Sequence, residues 1–230
     1  MESMRTYDFL VLENADTYVS MSNRIDRVVI TGASSGIGLD LARRFVAEGS
    51  SVVINGRDRD KLERARRSLG EARRVVAVAG HVGEPATARA VATAARERFG
   101  GVDVLVNNAG LGHRAPLLDA DTELWREMLE VNVLALCICT REALRSMHGR
   151  GGEGHVIHIS SMAAHRVPPG SGVYSASKFA VRALTEALRQ ELHEAKSAVR
   201  VTAIAPATSR PSSPPSTTRA RRQRARRTPA

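Results

Sequence analysis

The chain has 230 residues and a formal net charge of +10, a length that fills one α/β domain and is short for two. No apolar run reaches the ~20 residues that span a bilayer, and the opening segment lacks the basic-then-apolar order of a secretion signal. A cytoplasmic protein without an anchor is expected, and its basicity is local: residues 207–230 hold seven arginines and no acid, and without them +3 remains.

Residues 1–20 match no regular element and read as a loose extension ahead of a domain at 21–206. In chain order, strands are predicted at Arg27–Thr31, Ser51–Asn55, Arg74–Ala79, Val102–Asn107, His155–Ser160 and Arg200–Ala205. Helical periodicity lies between them at Ile37–Glu48, Arg59–Leu69, Pro85–Phe99, Thr122–Met147 and Tyr174–Ala195. This alternation, with Val/Ile-rich strands, predicts an α/β fold: one doubly wound parallel sheet with helices on both faces. Cys137 and Cys139 fall inside the fourth helical run, where small buried apolar side chains explain them better than a metal or a disulfide. His155 and His158 sit at strand spacing that turns them opposite ways, which argues against a shared metal.

The first strand runs into Thr31-Gly32-Ala33-Ser34-Ser35-Gly36-Ile37-Gly38. Gly32 permits a tight turn, Gly36 permits close approach of a pyrophosphate to the backbone, and Gly38 lets the next helix pack near the strand. The free N–H groups and positive dipole end of that helix suit phosphate. Taken alone, such a turn is also an ordinary strand–helix joint. The second strand ends Asn55-Gly56-Arg57, without the carboxylate that an NAD-selective site uses on the ribose hydroxyls. Arg57 suits the geometry of a 2′-phosphate, so NADP(H) is expected over NAD(H). Asn107-Asn108-Ala109-Gly110 follows the fourth strand, where small residues let a cofactor lie close.

The chemistry is carried by Ser161 and by Tyr174-Ser175-Ala176-Ser177-Lys178. Tyr174 and Lys178 are four apart and share a helix face. A phenol ordinarily titrates far above neutrality, and an ammonium one turn away favours its ionised form. Tyr174 then becomes a proton donor to a carbonyl oxygen that Ser161 steadies. Asn132 is placed to hold a water linking Lys178 to solvent.

In this order the motifs resemble the short-chain dehydrogenase/reductase family over residues 27–206. Asn132–Ala143, Gly154–Met162 and Ala183–Leu192 are similar to an NADP-dependent branch that includes farnesol and clavulanate dehydrogenases and the dehydrogenase/reductase member 11 type. The resemblance implies a Rossmann fold and a catalytic tetrad of Asn132, Ser161, Tyr174 and Lys178. Hydride would pass between nicotinamide and a small-molecule carbonyl or alcohol. The implied cofactor contacts are Gly32, Ser34, Ser35, Gly36, Ile37, Gly38, Arg57, His81, Val82, Asn108, Ala109, Gly110, Tyr174, Lys178 and Pro206. His81 stands in Gly80-His81-Val82, where the family usually has an aspartate near the adenine. Leu111, His113, Met162 and His165–Gly170 would line the substrate pocket, and an antibiotic-pathway ketone, a steroid and a small aldehyde all fit.

After Pro206 the family continues with glycine, a cofactor-binding threonine, a lid, a seventh strand and a closing helix that commonly builds a homo-oligomer. Here Ala207-Thr208-Ser209-Arg210-Pro211 begins an Arg/Pro/Ser-rich tail that is expected to be disordered. A reading-frame shift in GC-rich DNA accounts for it, and the expected results are an exposed sixth-strand edge, a lost lid and weak activity. The alternative is an inactive Rossmann protein whose tail holds nucleic acid or another polyanion through phosphate contacts. The tail has no aromatic residue for base stacking, which argues against that reading.

Overall fold

The computed structural model describes residues 25–207. The expected loose N-terminal extension and nearly all of the basic tail, with the proposed frame shift, lie outside the described residues. Within them, six parallel strands form one sheet in the order β3-β2-β1-β4-β5-β6. The strands are β1 (Arg27–Ile30), β2 (Ser51–Gly56), β3 (Val75–Ala79), β4 (Val104–Asn107), β5 (Glu153–Ile159) and β6 (Ala198–Ile204). Val28, Val29 and Ile30 of β1 and Val52, Val53 and Ile54 of β2 are all buried, as expected of β-branched strands covered on both faces.

Helices α1 (Gly36–Ala47) and α2 (Arg59–Ser68) cover one face, over Val28, Ile30, Ile54 and Val106. The other face carries α3 (Pro85–Phe99), α5 (Ala135–His148) and α6 (Gly172–Glu194), over Val29, Val53, Leu105 and Val156. Local chemistry sets their ends. Asp58 caps α2 by accepting from the Lys61 N–H at 2.8 Å, and α3 starts at Pro85 and stops at left-handed Gly100, the usual proline-first, glycine-last asymmetry.

The predicted single helix at 122–147 is instead α4 (Thr122–Leu129), a π-helical turn at Glu130–Leu134, and α5. One extra residue in that turn rotates Asn132 into the interior, where it is 1% exposed, and π-turns of this kind mark functional sites. β5 stops at Ile159, one residue before the predicted end, and leaves Ser160 and Ser161 beyond the sheet. Among the described residues β6 has a neighbour on one side only, β5, in the register Val156↔Val201.

His155 meets Thr202 Oγ1 on β6, whereas buried His158 lies between Thr140 Oγ1 and Thr185 Oγ1. Burial pushes both imidazoles down to about 4. Cys139 is in the core, and its thiol is pushed up to about 12 by burial, while Cys137 is only half-buried. The sequence reading of two buried cysteines is corrected at Cys137.

The strand order turns back between β1 and β4, and the carboxyl ends of these two strands open a crevice. Such a switch point is where an open α/β sheet binds ligands.

Candidate active site

The crevice is built by fastening two loops together. Asn108 Nδ2 donates to the carbonyls of Thr31 at 2.9 Å and Gly32 at 3.1 Å. In return, Thr31 Oγ1 accepts from the backbone N–H groups of Asn108 and Ala109. This packing needs glycine. A Cβ on Gly32 would lie 2.7 Å from Ala109 Cα, and one on Gly38 would lie 2.4 Å from Asn108 Nδ2 and 2.7 Å from the Gly32 carbonyl. Ser35 precedes α1 in extended backbone without capping it, and the first turn carries no acid. The helix N–H groups are therefore left for an anion.

The resulting cavity, about 300 Å³, is lined by Gly32, Ser34, Ser35, Asn55, Gly56, Arg57, His81, Val82, Asn108, Ala109, Gly110, Leu111 and Val131. Nine of the expected cofactor positions are among these residues, whereas Gly36, Gly38, Tyr174, Lys178 and Pro206 are not. Ile37 stands at the start of α1 and is 49% exposed. A groove with a bare helix N-terminus, backbone in place of side chains and a cation at one end fits a dinucleotide.

Arg57 is not a solitary cation. Its Nη1 donates to Glu127 Oε1 at 2.7 Å, and Glu127 Oε2 meets His113 Nε2 at 2.9 Å. These contacts hold the Glu127 carboxyl below the usual range, His113 first and Arg57 second. Sequence reasoning missed Glu127 because an acid five residues before Asn132 reads as helix surface. It also assigned His113 to the substrate wall, whereas the structure turns the ring toward Glu127.

At the other end of the crevice, the π-turn pins Asn132. Its Oδ1 accepts from the Leu111 N–H at 2.9 Å, and its Nδ2 donates to the Leu111 carbonyl at 2.8 Å and to Ser177 Oγ at 2.9 Å. Ser177 Oγ in turn donates to the Tyr174 carbonyl at 2.6 Å. The amide thus ties the β4 loop to α6, a role beyond the expected water relay. A Cβ on Gly110 would lie 3.3 Å from Asn132 Oδ1 and 3.4 Å from Lys178 Nζ, and one on Gly112 would lie 3.0 Å from the Tyr174 ring. Glycine keeps the amide and ammonium on one gap and lets the loop cross the phenol.

Lys178 is 5% exposed, donates to the Ile159 carbonyl at 3.0 Å, and sits 6.0 Å from the Tyr174 ring centroid. Ser161 caps the short 3₁₀ helix Met162–Ala164, accepting the Ala163 N–H at 3.1 Å. Its oxygen is engaged while its own proton stays available to donate. The Pro206 carbonyl accepts from the Met162 N–H at 3.3 Å, which brings the end of β6 beside Ser161. The segment His165–Pro169 is exposed, and Gly170 lies under Arg114.

Burial pushes Lys178 down to about 8, from 10.5 when exposed. Folding therefore opposes its charge. The cost is full below pH 8 and disappears as pH rises toward 10.5, worth ~3 kcal/mol in all. Urea unfolding from pH 7 to 10.5 is expected to show stability rising against a Lys178→Met control; identical pH profiles would contradict the burial of this charge.

A family model for short chain dehydrogenases matches residues 26–220. The chain is 45% identical over 184 residues to dehydrogenase/reductase SDR family member 11 of Gallus gallus, covering 77% of this chain and 72% of that protein. It is 40% identical over 183 residues to farnesol dehydrogenase of Aedes aegypti, covering 77% and 75%. Among solved structures it is similar to L-sorbose reductase from Gluconobacter frateurii complexed with NADPH and L-sorbose. That match has a TM-score of 0.73 and 38% identity, covering 79% of this chain and 69% of the other. A short chain dehydrogenase/reductase from Burkholderia phymatum in complex with NAD matches with a TM-score of 0.77 and 30% identity, covering 87% and 78%. With the glycine turn, the stitched β4 loop and the Tyr174–Lys178 face on one crevice, the chain belongs to the short-chain dehydrogenase family of oxidoreductases.

Proposed function

We propose that the protein is an NADP(H)-dependent reductase of ketones or aldehydes, working in reverse as an alcohol dehydrogenase. The observation that carries this reading is the burial of Lys178 one helical turn from Tyr174, beside a groove that fits a dinucleotide. The α1 N-terminus with Gly36 takes the pyrophosphate, Asn108–Gly110 passes along the cofactor, and His81 and Val82 flank the adenine end. Bound there, the nicotinamide ring supplies or accepts hydride.

The remaining chemistry belongs to the chain. Tyr174 donates its phenolic proton to the substrate oxygen, a general-acid role. Ser161 steadies the same oxygen with the proton that its capping bond leaves free. Lys178 favours the phenolate that remains, and Asn132 fixes the Leu111 loop and α6 in mutual position. Preorganised donors at the developing charge are worth more in a dry site than in water.

NADP(H) preference is assigned to Arg57, in the absence of a carboxylate at the end of β2. Arg57→Ala is expected to weaken NADPH binding about tenfold, the scale of a charge-assisted pair with phosphate, while NADH binding changes little. Fluorescence titration of both cofactors measures this; an unchanged affinity ratio would make Arg57 an ordinary surface arginine. No described helix is long and apolar enough to cross a membrane.

A further inference from the structure

Glu127 gives each carboxylate oxygen its own partner: Oε1 takes Arg57 Nη1 at 2.7 Å, and Oε2 meets His113 Nε2 at 2.9 Å. The two partners come from different loops, one after β2 and the other after β4. Val131, four residues beyond Glu127, lines the groove together with Gly56 and Arg57. The ion pair therefore ties the loop after β2, which lines the groove through Arg57, to α4 and, through His113, to the loop after β4. It is an open contact, with side chains 59% and 33% exposed, and such pairs are weak.

We propose that Glu127 is a specificity-determining residue that competes with the cofactor 2′-phosphate for Arg57. The inference rests on the reading of Arg57 as the 2′-phosphate contact. A guanidinium meets phosphate through its planar fork, two donors at once. To present that fork here, Arg57 must turn away from Glu127, and the released carboxylate then faces a like-charged phosphate. An unphosphorylated ribose has no anion to draw Arg57 away, so the pair persists when NAD(H) binds. His113 gives the competition a resting place, because Glu127 keeps one partner when Arg57 leaves. Glu127 thus holds the preference for NADP(H) below what Arg57 alone would produce.

The test uses the full chain and four forms: wild type, Glu127→Gln, Arg57→Ala and the double variant. Dissociation constants are measured for NADPH, NADH and 2′,5′-ADP, the last isolating the phosphate. Glu127→Gln is expected to tighten NADPH and 2′,5′-ADP about two- to fivefold relative to NADH, the scale of an exposed ion pair. In the Arg57→Ala background the same change is expected to have no effect. An unchanged or weakened NADPH affinity in Glu127→Gln, with Arg57→Ala still weakening NADPH, overturns the proposal and leaves the Arg57 reading standing. Equal tightening with and without Arg57 overturns it too, since plain repulsion would then suffice. Parallel changes in NADPH and NADH make Glu127 a structural residue and also overturn it. If Arg57→Ala leaves the affinity ratio unchanged, the Arg57 reading fails and takes this inference with it.

Discussion

Tyr174→Phe is expected to lower kcat by about 10²- to 10⁴-fold, the contribution of a positioned general acid, while cofactor affinity stays within about twofold, well under the tenfold that 1.4 kcal/mol represents. The substitution removes one oxygen and keeps the ring that packs across Gly112. The links around it survive, because Ser177 Oγ binds the Tyr174 carbonyl and Lys178 holds the Ile159 carbonyl, neither through the phenol. The fold and the groove therefore stay as they are, and the loss falls on turnover. Steady-state kinetics with NADPH titration separates the two effects. Retained turnover would remove Tyr174 from the chemistry.

Gly38→Val is expected to abolish useful cofactor binding, with an affinity loss of ~10²-fold. A Cβ at this position meets Asn108 Nδ2 at 2.4 Å, the Gly32 carbonyl at 2.7 Å and Ala33 Cα at 3.0 Å. Two of these are backbone atoms of the glycine turn itself, so no change of rotamer relieves the clash. Either α1 moves out or Asn108 gives up its bonds to Thr31 and Gly32. Displacing two charge-assisted N–H contacts to phosphate costs ~3 kcal/mol, which is the stated loss. Overpacking also removes about 1–3 kcal/mol of stability. Calorimetric binding and urea unfolding read the two quantities separately; wild-type affinity would mean that the turn does not hold the phosphates.

The sheet was legible because Val/Ile runs in a two-faced core have few alternatives, and each predicted strand coincides with an observed one to within two residues at either end. The glycine turn was legible for the same kind of reason, since Gly32 and Gly38 face atoms that exclude a side chain. The sequence singled out Asn132 but not its setting. The apolar periodicity through Met128, Val131 and Leu136 hides a single inserted residue, so one long helix was expected where a π-turn intervenes. Glu127 was invisible for a different reason. Its partners are 14 residues before it and 70 residues before it, and no local rule pairs a helix-surface acid with loops that distant. The tie of His113 to Glu127 was missed for the same reason, because a loop histidine carries no sign of which way its ring turns.

The claim that this crevice moves hydride to a carbonyl is tested most directly by isotope transfer. NADPH carrying deuterium at the transferable C4 position is incubated with the protein and a panel of ketones and aldehydes, and the alcohols are analysed by mass spectrometry. The account predicts one deuterium on the carbinol carbon of at least one product, absent with Tyr174→Phe. Saturating NADPH binding with no deuterium in any product across the panel would contradict it.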